Sequence, residues 1–401
     1  MNMFFCKRNH LALLVLSSLS ASAFADNGMD ARGMGMGGTG VASAHYLTAG
    51  FYNPALAVNY KANDDFGLML PSIGVTVHDA DDLYHKVDHF QEINSDIEDS
   101  IDNGMLTAAQ KEEWTSALNE LDNGSLKATV HAGIAASVPN HYLSAVLFTQ
   151  AQVQAVVNTD IDQRDIQHLE DFDTTPEHMY STVEGLAGGT ADIGIALAKS
   201  FDLPFDNQTV SLGVAPKLQK IYALRYKKTV EEFEDSDFDA GHDHTEKTAF
   251  NLDLGIAYKP VDSITVAFAA KNVIKQSLDT NQNISRSDST AVTYLVEPKY
   301  TAGVAYDNGM FTLAADVDLN KQHYFEELAY ETQFAHLGAE FNAWDWAQLR
   351  AGYSISMTDY AQNMVTAGIG LKPFGAFGID LAGQYGEDNN YGAAVQFVIT
   401  L

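Results

Sequence analysis

The chain has 401 residues with 23 basic and 53 acidic side chains, which gives a formal net charge of −30 at pH 7. This balance excludes the positive surface that binding to nucleic acid requires. Only 19% of the residues are charged and 46% are hydrophobic, a combination that favours a membrane environment over a soluble acidic protein.

The first 25 residues are expected to be a cleaved signal peptide. Lys7 and Arg8 precede an apolar run over residues 11–19, and residues 23–25 read Ala-Phe-Ala, the small-x-small pattern that signal peptidase cuts. The apolar run is shorter than the ~20 residues of a membrane-spanning helix. Cys6 lies in this segment and is the only cysteine, so the mature chain is expected to have no disulfide, thiolate metal site or cysteine nucleophile.

Residues 26–60 are glycine-rich and are expected to form a hatch, a plug packed inside a narrow space. Glycine permits close backbone approach and positive φ. A phosphate-binding loop would need a preceding strand and a following helix, and the sequence predicts neither here. Asn53-Pro54 is expected to end a short helical piece and turn the chain toward the first strand. The predicted hatch motif comprises Arg32, Gly33, Gly35, Gly37, Gly38, Asn53 and Pro54.

The sequence after residue 60 is predicted to consist mainly of β-strands. Most of the runs have about the length that crosses a bilayer at a tilt, ~9–11 residues. Several alternate with period two: in 310–319, Leu313 and Val317 share one face, while Asp316 and Asp318 share the other. We predict fourteen strands: 66–77, 128–138, 142–157, 178–199, 209–227, 247–259, 263–275, 294–306, 310–319, 333–342, 347–357, 363–372, 377–386 and 391–401.

The lengths of the connections distinguish a membrane barrel from a soluble all-β protein. Six connections are short and rich in turn formers, such as Pro139-Asn140 and Asp307-Asn308-Gly309. A barrel with short periplasmic turns and long external loops requires this alternation, whereas a soluble sandwich has no reason to sort its loops. The long connections are 78–127, 158–177, 228–246, 276–293 and 320–332. The last two external connections, 358–362 and 387–390, are shorter, so the alternation weakens near the end of the chain.

Strand alternation also predicts which charged side chains face the interior of the barrel. Buried charges are expected to pair, and Arg32 of the hatch is a candidate partner. The predicted interior charges are Asp316, Asp318, His336, Glu340, Arg350 and Asp380.

Residues 79–127 are expected to form a helical insertion on the external side. Thr107 and Gln110 form a capping-box pattern, and Trp114, Leu118 and Leu121 recur at helical spacing. The insertion is either a helical hairpin that packs its own apolar stripe or a lid that contacts a partner or substrate.

A second external segment, 231–244, is dense in carboxylates and ends with His242-Asp243-His244. Calcium accepts several carboxylate ligands, but the spacing is not that of an EF-hand. A solvated acidic loop, bridged to lipopolysaccharide through Ca²⁺, is favoured over a defined cation site.

Two N-terminal motifs resemble the start of the FadL-type barrel superfamily: GMGMGGTGVA at 33–42 and YNPAL at 52–56. Later stretches resemble the TraF-type conjugal-transfer family within it. These stretches are LGVAPK at 212–217, FAAKNV at 268–273, EPKY at 297–300, LAADVDL at 313–319, LGAEF at 337–341 and QLRAGY at 348–353.

The resemblance implies an antiparallel outer-membrane β-barrel of about fourteen strands, with an N-terminal hatch over 26–60 and the barrel over 61–401. A thioredoxin-like conjugation factor that is also called TraF would need an α/β pattern and cysteines, so that identity is rejected. Outer-membrane lipid and lipopolysaccharide are the expected surroundings of an exported barrel in a Gram-negative-type envelope.

Two functions follow from the resemblance. In the first, the barrel passes or binds a small hydrophobic molecule, which is captured at the external loops and released when the hatch shifts or the wall opens. In the second, it is a structural component linked to plasmid conjugal transfer or a surface apparatus, with no transport activity. Neither function needs a cofactor, and no catalytic residues are predicted, so the chain is not expected to be an enzyme.

Overall fold

The computed structural model describes residues 28–61, 64–171, 179–204, 207–230, 244–281, 291–344, 346–373 and 375–401. The predicted signal peptide and residues 231–243 of the predicted acidic loop lie outside these ranges. None of the described helices is both long and apolar enough to cross a membrane.

The described residues form eighteen strands, and fourteen of them close into one antiparallel barrel. The barrel strands are β1 (Gly67–His78), β2 (Ser125–Val138), β3 (Ser144–Asp160), β4 (Thr182–Asp202), β5 (Thr209–Thr229), β6 (His244–Val261), β7 (Ile264–Lys271), β10 (Lys299–Asp307), β11 (Phe311–Asp318), β14 (Phe334–Trp344), β15 (Ala347–Ser356), β16 (Met364–Leu371), β17 (Phe377–Gly386) and β18 (Asn390–Thr400). The other four form two small hairpins, β8 (Gln276–Asp279) with β9 (Thr293–Val296), and β12 (Gln322–His323) with β13 (Glu331–Thr332).

The barrel closes where the first strand pairs with the last. The register runs from Gly67 opposite Thr400 to His78 opposite Asn390. Closure leaves no open sheet edge, which is the condition under which strands can cross lipid. The predicted class, a fourteen-stranded antiparallel outer-membrane barrel, is confirmed.

Side chains alternate between an apolar outer face and a polar lumen. On β11, Leu313 is exposed, while Asp316 and Asp318 are buried. On β17, Leu381 is exposed beside buried Asp380. This pattern is inverted relative to a soluble barrel, as lipid on the outside requires.

Two predicted strand ends are wrong. The predicted run 263–275 stops pairing in the barrel at Lys271, and the predicted run 294–306 enters it only at Lys299. Residues 294–296 belong to β9, which pairs with β8 instead. Residues 272–275 are in no strand, and Asn272 has a positive φ of 52° that ends β7.

The barrel has a turn end, where connections such as 139–143 and 308–310 are short, and a loop end with the long connections. Helices lie at the loop end over Leu83–Asp102, Ala108–Glu120 and Gln163–Asp171. Thr107 and Gln110 form the predicted capping box. Trp114 is fully buried in an apolar cluster that these helices share with Val183 of β4.

We expect Leu381→Arg to lower the free energy of unfolding by about 2–4 kcal/mol, because it places a cation in the middle of a lipid-facing strand. Met105→Arg is the matched control, since Met105 is exposed in the external helical hairpin. Urea unfolding in lipid vesicles measures both variants. Equal losses for the two would argue against a lipid-facing outer surface.

Candidate functional site

The segment 28–61 lies inside the barrel and is called the hatch below. It contains two short helices, Ala31–Gly35 and Ala49–Tyr52, and two 3-10 turns, Tyr46–Thr48 and Pro54–Val58. Asp30 caps the first helix by accepting from the amide of Gly33. The Tyr52 hydroxyl donates to Asp30 Oδ1 at 2.7 Å, so the two halves of the hatch are joined by a buried hydrogen bond.

Glycines allow the hatch to fold on itself and to touch the wall. A Cβ on Gly33 would stand 1.9 Å from the hydroxyl of Tyr52. Gly37 and Gly38 have φ of +70° and +91°, a region that favours glycine. A Cβ on Gly37 would stand 2.6 Å from the carbonyl oxygen of Leu337 in the wall.

The wall has its own glycines at the same contact. Gly338 and Gly352 face each other across β14 and β15. A Cβ on Gly352 would stand 2.2 Å from the amide nitrogen of Gly37, and one on Gly338 would stand 2.4 Å from the carbonyl oxygen of Met36. Hatch and wall therefore meet backbone to backbone at this point.

A chain of alternating charges anchors the hatch. Arg32 donates twice to Glu340, from Nε to Oε2 at 3.0 Å and from Nη2 to Oε1 at 3.2 Å. Arg350 bridges Glu340 at 2.7 Å and Asp380 at 2.6 Å. Two guanidinium groups and two carboxylates thus neutralise one another in a site from which water is largely excluded.

Further hydrogen bonds extend the anchor along the glycine stretch. Asp316 Oδ2 accepts from the amides of Gly40 at 2.7 Å and Val41 at 2.8 Å. The carbonyl oxygen of Gly37 lies 2.6 Å from Nδ1 of His336. Backbone groups that a glycine loop leaves unpaired are therefore satisfied by the wall.

The second half of the hatch contacts the opposite wall. Asn53 caps the turn begun by Pro54 and donates to the carbonyl oxygen of Ile256 at 3.3 Å. A Cβ on Gly255 would stand 1.9 Å from Asn53 Oδ1. The ammonium of Lys271 donates to the carbonyl of Phe51.

The structure brings part of the predicted residues together. Arg32 meets Glu340 directly, and Asp380 reaches it only through Arg350. Asp318 pairs instead with Lys299 at 3.1 Å. All seven hatch-motif positions lie in the segment inside the barrel, and their functional role remains a proposal. The sequence analysis missed the Tyr52–Asp30 bond and the glycines of the wall.

A second plug enters from the loop end and is called the outer plug below. It consists of the two hairpins β8–β9 and β12–β13, whose Tyr294 and Phe325 are buried against Leu186 and Ile221 of the wall. The ring of Tyr294 lies over Gly188, where a Cβ would be 2.0 Å from it. The lumen is therefore occupied from both ends.

An apolar groove of about 600 Å³ lies on the lipid-facing side of β10, β11, β14 and β15. Gly338 and Gly352 line it, and their lumen sides touch the hatch. At this place the wall between hatch and groove is one backbone thick. The larger side chains around the groove are Val304, Tyr306, Leu313, Leu337 and Tyr353.

Within the described ranges, no group of three or more His, Cys, Asp or Glu side chains is placed to hold a metal ion. The charged groups described above are engaged in ion pairs and hydrogen bonds between hatch and wall. These ion pairs and hydrogen bonds can hold the hatch against the wall, and breaking them releases it.

Comparison with known proteins places this geometry in context. The model of a family described as "F plasmid transfer operon, TraF, protein" matches residues 50–318. No curated protein matches the chain.

Solved structures share the fold. A Pseudomonas aeruginosa FadL homologue is 11% identical, with a TM-score of 0.51 over 95% of this chain and 99% of that one. A TodX deltaS2S3 mutant monoaromatic hydrocarbon channel is 12% identical, with a TM-score of 0.50 over 93% of this chain and 98% of that one. At these identities the likeness concerns the fold alone.

We expect Glu340→Gln to destabilise the protein by about 3–5 kcal/mol, because it leaves Arg32 and Arg350 facing each other without their shared carboxylate. Amide exchange over 28–58 should accelerate. The control is Glu246→Gln, which removes an exposed ion pair to Lys220 and should cost far less stability, because exposed ion pairs contribute little. Unchanged exchange in the hatch of Glu340→Gln would contradict an anchoring role.

Gly37→Ala tests the close approach of hatch and wall. Its matched control is Gly309→Ala, because Gly309 also has positive φ, +85°, but nothing lies within 4 Å of its added Cβ. The control should lose only about 1–2 kcal/mol of its free energy of unfolding, which is the cost of a side chain at positive φ. Gly37→Ala should lose about 1–3 kcal/mol more, because its methyl group overpacks against the wall. Chemical denaturation compares the two. Similar losses would mean that the wall accommodates a side chain here.

Proposed function

The chain belongs to the family of the F plasmid transfer operon protein TraF, and we propose that it is an exported outer-membrane barrel that passes a small hydrophobic molecule through a gated lumen. Its fold is that of FadL-type outer-membrane channels. In this proposal the signal peptide is cleaved, residues 26–60 act as the hatch, and the outer surface contacts lipid and lipopolysaccharide. One structural neighbour is a monoaromatic hydrocarbon channel, and the proposal includes no enzymatic activity.

The observation that carries the proposal is the one-backbone wall between the hatch and the apolar groove. Gly338 and Gly352 contact the hatch on one side and line the groove on the other. A hydrophobic solute that reaches this point has an apolar surface immediately outside. Transfer to apolar surroundings is favourable by roughly 25 cal/mol per Å² of apolar area removed from water. The free energy of the solute therefore falls from the lumen toward the bilayer.

The hatch can act as the gate because polar links hold it on this side of the lumen. Arg32–Glu340 and the bonds of Asp316 to Gly40 and Val41 are the links that must break. Hydrogen bonds to a charged group contribute about 1.5–3 kcal/mol each. In the proposed cycle the solute is captured at the external loops, the glycine loop retracts, and the solute leaves along the wall.

The second candidate is a structural component of a conjugation or surface apparatus without transport activity. One observation favours it specifically: the outer plug and the hatch fill the lumen from both ends, with Tyr294 and Phe325 buried in the outer plug. A barrel that only anchors external loops benefits from such a filled interior, because packing stabilises it.

Uptake measurements test the first candidate. Ala339 and Ala351 line the groove, and we expect Ala339→Leu with Ala351→Leu to lower the initial uptake rate of a radiolabelled monoaromatic hydrocarbon several-fold, because leucine fills the groove. Ala393→Leu is the control, since Ala393 is also exposed on the lipid-facing side but lies on β18. Proteoliposomes with each variant give the rates.

A deletion in the native host distinguishes the two candidates. Loss of uptake with unchanged mating efficiency supports transport. Unchanged uptake with reduced mating efficiency would refute transport and favour the assembly role.

A further inference from the structure

A network of five charged side chains lies at the base of the outer plug. Its centre is His323, which lies in β12. Nδ1 of His323 lies 3.0 Å from Oε2 of Glu297, and Nε2 lies 3.2 Å from Oε2 of Glu331. Each glutamate also pairs with a lysine: Glu297 with Lys275 at 2.8 Å, and Glu331 with Lys321. The histidine therefore joins two ion pairs.

The network spans the four places where the chain passes between the barrel and the outer plug. Lys275 precedes β8 and Glu297 follows β9, so the first ion pair closes the base of the hairpin β8–β9. Lys321 precedes β12 and Glu331 lies in β13, so the second ion pair closes the base of the hairpin β12–β13. His323 is the side chain that connects the two bases.

The geometry around His323 fits the protonated ring. Both ring nitrogens face carboxylate oxygens, and an ionised carboxylate can only accept hydrogen bonds. A neutral imidazole has one N–H group and one lone pair, so it would donate to one glutamate and turn its lone pair toward the other. An imidazolium has two N–H groups and satisfies both glutamates.

The two glutamates stay ionised where histidine changes its charge, between about pH 5 and pH 8. The hydrogen bond from Lys321 lowers the pKa of Glu331. Partial burial raises the pKa of Glu297, but the hydrogen bonds from Lys275 and His323 outweigh burial, so this pKa is lowered. The side chain of His323 is 46% exposed and can exchange protons with solvent. Of the five side chains, His323 is therefore the one that changes charge in this range.

We propose that His323 is a pH-sensitive latch of the outer plug. At low pH the imidazolium joins the bases of both hairpins and holds the plug in the lumen. As the pH rises through the titration of histidine, one hydrogen bond is lost and a lone pair faces a carboxylate, so the bases separate and the plug opens more often. The hydrogen bond from the Tyr294 hydroxyl to Gln154 at 3.2 Å joins neutral groups and holds the plug equally at low and high pH.

The latch controls access to the lumen, and its regulatory meaning rests on the proposed transport function. The movement of the plug can be measured without transport. Two backbone hydrogen bonds between the hairpins report on it: the amide of Leu295 donates to the carbonyl of Tyr324 at 2.9 Å, and the amide of Glu326 donates to the carbonyl of Thr293 at 3.0 Å. Both must break when the hairpins separate.

Amide hydrogen exchange of the purified full barrel in detergent tests the proposal. Protection factors, which remove the intrinsic pH dependence of exchange, are compared at pH 5 and pH 8 for the amides of Leu295 and Glu326. Protection should be about tenfold higher at pH 5, because one charge-assisted hydrogen bond is lost at pH 8. Equal protection at the two pH values overturns the proposal.

Two substitutions of His323 and one control assign the effect. His323→Gln is neutral at every pH, so it should show the low protection of pH 8 at both pH values. His323→Arg keeps the positive charge and several N–H donors, so it should show high protection at both. His85→Gln is the matched control, because it removes another exposed histidine–carboxylate pair, to Asp82 at 2.6 Å. It should keep the pH dependence of the unmodified protein.

Heat-modifiable mobility in SDS gels verifies that each variant is folded, and His323→Arg decides the matter if His323→Gln does not fold. A pH dependence that persists in a folded His323 variant, or that disappears in His85→Gln, assigns the effect to another group and refutes the latch.

Hydrocarbon uptake at pH 5 and pH 8 is a separate measurement. A pH-dependent plug in a barrel without uptake leaves the latch standing and refutes the transport function. Uptake through a barrel whose plug shows no pH dependence does the reverse.

Discussion

The constraint on which the structure depends is that no backbone polar group can be left unpaired in lipid. Pairing of β1 with β18 meets it by removing both edges of the sheet. Once the sheet is closed, every strand has one face toward lipid and one toward the lumen. The alternation of Leu381 outside and Asp380 inside follows from closure, and so does the concentration of charge in the lumen.

The charged residues of the lumen require the hatch as a source of counter-charge, and they also provide the groups that bind it. Glu340, Arg350 and Asp380 lie on β14, β15 and β17 and are buried in the lumen. Without Arg32, this group would carry two negative charges against one positive charge, and a buried excess charge is costly. The hatch supplies the missing cation and, through its glycines, donates amides to Asp316. Lumen and hatch are therefore two halves of one electrostatic arrangement.

Much of this was predictable from the sequence because the relevant signals are local. Period-two alternation identified the strands and the interior charges, and the glycine cluster identified a tightly packed segment. The start of β10 was wrong because β9 alternates as well and pairs with β8, and alternation does not reveal the partner. The end of β7 was wrong because the positive φ of Asn272 is not visible in the pattern. The wall contacts were not predicted, although inward-facing glycines such as Gly338, Gly352 and Gly255 indicated them. A position without a side chain on the lumen face leaves room for another segment to pack against the wall from inside.

The two halves of the hatch differ in what holds them, and this difference sets the direction in which the hatch can move. The half near Asn53 is packed into the apolar core with Phe51 and Leu56, so its displacement exposes apolar surface and costs roughly 25 cal/mol per Å². The glycine half buries Met36 and Val41 in the same core and is held in addition by hydrogen bonds to the wall. Gly37 and Gly38 contribute no side chain to that core, so movement of these two residues exposes less apolar surface than movement of Phe51. These glycines lie against Gly352 and His336 of the wall, and Gly352 also lines the groove on the other side.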